Sequence, residues 1–141
     1  MLTIRREQLK ALEVDALERY VHELANYIRT EDSEEEVFPP GGTDFIQVKD
    51  LPENMLVAMV KAGVARARNH GFTLDCDIAA FVSLMFSFAP NFDTQATIQT
   101  VLSDQEFTPE ERMDMLVELV GEEGWDQAEE FYDESAWGLR P

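Results

Sequence analysis

The sequence predicts an all-α fold: a single-domain bundle of five to six helices opened by one long N-terminal helix. Apolar residues recur at three- and four-residue spacing through most of the chain. Recognisable start and stop signals punctuate those runs, and no clear apolar–polar alternation marks a strand. With 141 residues, the chain suits one domain that can bury a core without disulfides or metal.

From Ile4 to Ile28, residues Leu9, Leu12, Ala16, Tyr20, Leu24 and Tyr27 form one stripe, widened by Val14, Leu17, Val21 and Ile28. No glycine or proline interrupts the run, which reads as a helix of about 25 residues capped by Thr3. The acidic run Thr30–Glu36 and the break Pro39-Pro40-Gly41-Gly42 then mark a linker over about 30–49, with Phe45, Ile46 and Val48 as a short extended piece.

A second helix is expected from a cap at Asp50, with Pro52 in its first turn and Met55, Met59, Val60 and Val64 inward. Arg66, Arg68 and His70 suit the negative end of its dipole, and Gly71 ends it. The third helix, capped by Thr73, carries Ile78–Ala89, apolar on every face and therefore central; Pro90 closes it. A short helix over Thr94–Leu102 turns Ile98, Val101 and Leu102 inward. Thr108-Pro109-Glu110-Glu111 combines an N-cap, an N1 proline and a capping-box glutamate. The helix after it buries Met113, Leu116, Val117 and Val120. Gly121 and Gly124 break it before a last helix, Trp125–Trp137, with Trp125, Ala128, Phe131 and Tyr132 on one side.

Charge is the informative feature of the composition. Eleven basic against 29 acidic side chains give a net −18. Residues 1–70 carry nine basic and 13 acidic groups (net −4), whereas residues 71–141 carry two and 16 (net −14). Such a surface repels phosphate backbones and anionic membranes and attracts basic partners, so no nucleic-acid or membrane partner is expected. The charged N-terminus, the absence of a long apolar run and the single Cys76 imply a soluble, cytoplasmic chain.

The sequence has no nucleophile elbow, no glycine-rich phosphate loop and no His-Glu-x-x-His helix. His22 and His70 lack a paired acid or nucleophile in sequence. They read as a solvated side chain and a dipole-neutralising helix end. Asp75 and Asp77 suit a helix N-terminus better than a metal, and between them Cys76 reads as structural, since two aspartates disfavour a thiolate. The expectation is no enzyme, no catalytic residue, no metal and no cofactor. Met55, Met59, Met85, Met113 and Met115 read as core rather than as an adaptable groove.

The C-terminal segment, about 104–137, is the best functional feature. From Asp104 to Glu134 there are 13 acidic residues and one base, Arg112. Mixed signs would have given favourable i,i+4 pairs, so this segment is either a plain solvated face or a surface for a basic partner. The candidate protein-binding residues are Glu118, Glu122, Glu123, Glu129 and Glu130 around Trp125 and Phe131.

Three segments together resemble a known family: Ile4-Arg-Arg-Glu-Gln-Leu-Lys-Ala-Leu12; Ala62-Gly-Val-Ala-Arg-Ala-Arg-Asn-His-Gly-Phe-Thr73 leading into Asp77–Met85 and Asn91-Phe-Asp93; and Val101-Leu-Ser-Asp104 followed by Thr108–Arg112. In that order, over most of residues 4–120, they resemble small bacterial accessory proteins encoded beside type VI secretion spike (PAAR and VgrG) and effector genes. The resemblance implies a cytoplasmic co-chaperone that helps an effector and its adaptor-chaperone load onto the spike. It brings no catalytic residues. An immunity protein that blocks a cognate toxin and an acidic mimic of DNA are the alternatives that the charge allows.

Overall fold

The computed structural model describes residues 6–138, with side chains from Asp15 onward. The Thr3 cap and the side chains of Ile4, Leu9, Leu12 and Val14 lie outside the described residues. Helices α1 (Arg6–Glu31), α2 (Glu53–Asn69), α3 (Asp75–Ser87), α4 (Ala96–Leu102), α5 (Pro109–Leu119) and α6 (Gly121–Glu130) follow one another in an all-α bundle. The only sheet among these residues is a small antiparallel hairpin of β1 (Glu36–Val37) and β2 (Ile46–Gln47).

Helix α1 runs 26 residues, as its unbroken apolar spacing predicts. Its described buried face is Val21, Leu24, Ala25 and Ile28, with Leu17 and Tyr20 packed beside it. Tyr27 is 52% exposed and Ala16 is exposed, so the expected stripe is rotated toward Val21 and Ile28. The reason lies in the partners. Helix α1 packs against α2 and the 3-10 turn at Val48–Asp50, and that contact selects which edge of a broad apolar arc is covered.

The linker folds. Glu36 pairs with Gln47 and Val37 with Ile46, while Val37 and Val48 are fully buried. Arg29 fastens it to α1, donating from Nη1 to the Lys49 carbonyl (2.9 Å) and from Nη2 to that of Leu51 (2.8 Å). Asp50 is not the cap of α2, because the Val48–Asp50 turn precedes an extended, buried Leu51 and the helix starts at Glu53 after Pro52. Gly71, at φ 91°, ends α2 as expected. Its N–H meets the Arg68 carbonyl and that of Phe72 meets Ala67, satisfying two carbonyls left over at the helix end.

Helix α3 is central. It packs against α2, α5 and β1, and no residue from Asp77 to Pro90 is fully exposed. Its N-cap is Leu74 rather than Thr73, with no side-chain cap bond. Gly63 permits the close approach of α2, since a Cβ there would stand 3.1 Å from Val82 Cγ2 and 3.2 Å from Met85 Sδ. Phe81 packs between Phe72 and Phe92 at ring separations of 5.7 and 4.8 Å.

The capping box at Thr108 forms in full: Thr108 Oγ1 accepts from the Glu111 N–H, and the Glu111 carboxylate accepts from the Thr108 N–H. In α5, Met113 and Leu116 are buried, but Val117 is 76% exposed, a correction to the expected inward set. The last helix also differs from expectation. Gly121, at φ 70°, separates α5 from α6, whereas Gly124 sits inside α6. The helix ends at Glu130, and a 3-10 turn at Glu134–Trp137 follows. Phe131 caps that end and is 70% exposed, so it does not share the buried side of Ala128. Trp137 is fully buried against Phe86 at 4.9 Å.

Candidate functional site: an acidic, aromatic groove

Folding brings the two acidic segments of the sequence together. The hairpin lies against the chain that leaves α6: the Phe38 N–H donates to the Tyr132 hydroxyl at 3.0 Å across 94 residues. Phe45 bridges the junction edge-on, 5.4 Å from Phe38 and 5.4 Å from Tyr132. Two open depressions flank this aromatic ridge. One, of about 480 Å³, has Glu34, Glu35 and Glu36 on its hairpin side and Phe88 and Glu129 opposite. The other, of about 520 Å³, adds Phe38, Glu130, Asp133 and Glu134. Both include Phe45, Glu129 and Tyr132, so they adjoin across the ridge and are together called the groove. Among the described residues, none of the side chains lining it is basic.

Its electrostatics are unbalanced. Burial pushes the Glu35 pKa up, and repulsion from Asp32 and Glu129 adds to the effect. Asp32 is raised by burial too, against a hydrogen bond of 3.0 Å from Ser83 Oγ and with the help of Glu31. Burial raises the Tyr132 phenol as well. The nearby indole N–H of Trp137 is buried and close to that hydroxyl without meeting hydrogen-bond geometry. The lone base of the acidic segment does not help, because Arg112 is buried and donates from Nε to the Asp104 carbonyl at 2.7 Å. Every charged side chain exposed between Asp104 and Glu134 is therefore a carboxylate.

The sequence-selected residues divide. Glu129 and Glu130 line the groove. Trp125 stands behind it, half-buried and stacked on Phe88 at 4.5 Å and 28°. Glu118, Glu122 and Glu123 are exposed but border neither depression. Phe131 edges a separate hollow of about 320 Å³ with Gln95, Gln127 and Ala128. Sequence reading missed Phe38, Phe45 and Tyr132 as site residues. The one available signal was two phenylalanines bracketing the Pro-Pro-Gly-Gly break after the acidic run, which says nothing of the pairing with Tyr132.

The residues weighed for catalysis sit elsewhere. His22 is exposed. His70 does more than face a helix dipole: its Nε2 lies 2.7 Å from Asp93 Oδ2, and Arg66 grips the same carboxylate with bonds of 2.8 and 2.7 Å. Burial opposes ionisation of Asp93, but the hydrogen bonds of His70 and Arg66 and the Arg66 charge outweigh it and lower its pKa. This cluster joins α2 to the turn at Phe92–Thr94. Cys76 is free and exposed, so the structural role expected of it does not come from packing. Among the described residues no His, Cys, Asp and Glu group is arranged to hold a metal ion, and no helix is long and apolar enough to cross a membrane.

Neither family models, nor the curated proteins, nor the solved structures contain a match to this chain.

Proposed function

We propose that this chain is a non-enzymatic protein-binding accessory factor that engages a basic surface of its partner, acting as a co-chaperone in loading a type VI secretion effector with its adaptor onto the spike. One observation carries the binding part: the groove gathers carboxylates from both acidic segments around the exposed Phe45 and the half-buried Phe38, Phe88 and Tyr132, with no base in its walls among the described residues. Charge kept together against its own repulsion suits an electropositive partner, which it would steer into place. The secretion role rests on the three-segment resemblance. In the structure the second of those segments supplies the α2–α3 core contact and the Asp93 cluster and the third the α5 capping box, so these two support the fold rather than a contact surface.

Co-purification from the native cell across a salt series, with mass spectrometry of the bound proteins, tests this reading. A spike-associated effector or its adaptor, released as salt rises, is the expected result. Recovery of a toxin that the chain neutralises in a growth-rescue assay would transfer the assignment to an immunity protein. Recovery of a DNA-binding protein displaced by DNA would transfer it to a DNA mimic.

A further inference from the structure

We propose that the groove between the hairpin and the end of α6 seats an extended, arginine-bearing segment of the partner, with guanidinium groups against Phe45 and Tyr132 and Glu35 and Glu129 at their edges. This deepens the reading above, on which it rests, by naming the surface and the chemistry recognised.

The aromatic ridge comes first. Phe45 is 49% exposed although it touches both Phe38 and Tyr132, so part of its ring waits for a covering group. An apolar ligand would satisfy the rings but strand the surrounding carboxylates without water, a heavy penalty for each charge. An anionic ligand would meet repulsion from Glu34, Glu35 and Glu36 on one bank and Glu129, Glu130 and Glu134 on the other. A cation alone satisfies both surfaces, since ring faces and carboxylates attract it together. Arg29, which reaches the turn after the hairpin, is already committed to the carbonyls of Val48, Lys49 and Leu51.

The shape narrows the choice further. Two linked hollows of about 480 and 520 Å³ suit successive side chains of an extended segment better than one small molecule. Guanidinium is planar, stacks on rings and offers paired donors to a carboxylate, whereas ammonium is a compact and strongly hydrated charge. Arginine is therefore preferred to lysine.

The test uses the full chain and three short labelled peptides, alternating serine with arginine, lysine or glutamate, followed by fluorescence polarisation at two salt concentrations. The arginine peptide should bind at least about threefold tighter than its lysine counterpart, and the glutamate peptide not at all. Phe45→Ala and the double variant Glu35→Gln/Glu129→Gln should each weaken binding about tenfold, equivalent to about 1.4 kcal/mol. Glu106→Gln/Asp114→Asn, which removes as much charge at exposed positions outside the groove, should stay within about twofold. The Glu35/Glu129 variant should also melt no lower than the parent, so that affinity falls while stability holds, a split that a merely structural role would not produce. Equal weakening by both double variants would show diffuse attraction to a polyanion and overturn the groove. So would loss of discrimination between arginine and lysine, or failure of the arginine peptide to bind. Pull-downs of the native partner separate the two levels. A basic partner retained by the groove variants leaves the proposed function standing and the groove refuted. A partner without a basic surface refutes the reading beneath both.

Discussion

Asp93→Asn is the sharpest test of the fold. The buried carboxylate accepts two bonds from Arg66 and one contact from His70, while only 5% of its side chain is exposed. An amide in its place presents N–H donors to the Arg66 donors and leaves that cation without a counter-charge. Breaking one side of a buried ion pair costs about 3–5 kcal/mol. The Arg66 and His70 side chains are each 27% exposed, so water recovers part of the loss, and about 2–3 kcal/mol remains. For a chain of this size that corresponds to a melting temperature lower by about 7–10 °C. Urea and thermal unfolding followed by circular dichroism would measure it. The folded pKa of Asp93 is lowered, so the stabilisation is complete above the unfolded-state value of about 3.9 and is lost as pH falls through the folded value. The gap between parent and variant should therefore be full at neutral pH and shrink below about pH 4. A variant within about 0.5 kcal/mol of the parent, or a gap unchanged at pH 3, would refute the reasoning.

Further outcomes follow from the same structure. Thr108→Ala should lower stability by about 1 kcal/mol through loss of the capping box, and a Tm equal to the parent's would count against it. Gly63→Val should cost about 1–3 kcal/mol, because its side chain would invade the space of Val82 and Met85; calorimetry showing no loss would mean that α2 and α3 separate freely. Between neutral and mildly acidic pH the parent should become more stable, since Asp32 and Glu35 have raised pKa values and protonation favours the folded state; below about pH 4 the trend should reverse as Asp93 is protonated. A Tm that declines steadily from pH 7 downward would contradict this. Charge reversal at Glu118, Glu122, Glu129 and Glu130 should slow association with the partner and weaken its salt dependence without loss of fold, and wild-type retrieval across a salt series would place the interface elsewhere.

Much of the fold was legible because helices advertise themselves locally. The α5 capping box, the glycine at the end of α2 and the all-round apolar α3 are written within a few neighbouring residues. Errors arose where a distant partner decides. Tyr27 and Val117 have the right spacing for a core position, yet the neighbouring helix covers only one edge of a wide apolar arc. Phe131 follows the buried Ala128 at helical spacing, but the helix ends there and its ring turns outward. The same holds for the site. The acidity of the linker and of the C-terminal segment could be counted, but their convergence depends on the contact from Phe38 to Tyr132, which leaves no trace in local pattern. The Arg66–Asp93–His70 cluster was hidden for the same reason: three ordinary charged residues acquire a joint meaning when α2 meets the turn before α4.

The bond from Phe38 to Tyr132 has a consequence for biogenesis. A ribosome adding about 5–20 residues per second makes the second partner roughly 5–20 s after the first. Through that interval the newly made hairpin has α1 to lean on, through Arg29, but neither Tyr132 nor the Trp137 anchor that holds the final turn. Glu34–Glu36 and Phe45 are then free of the opposing carboxylates, and the groove has one bank only. A nascent or prematurely terminated chain thus lacks one bank of the groove. If the groove is the contact surface proposed above, binding competence would wait on the docking of Tyr132 and Trp137, and chains stopped before them would not compete for a partner.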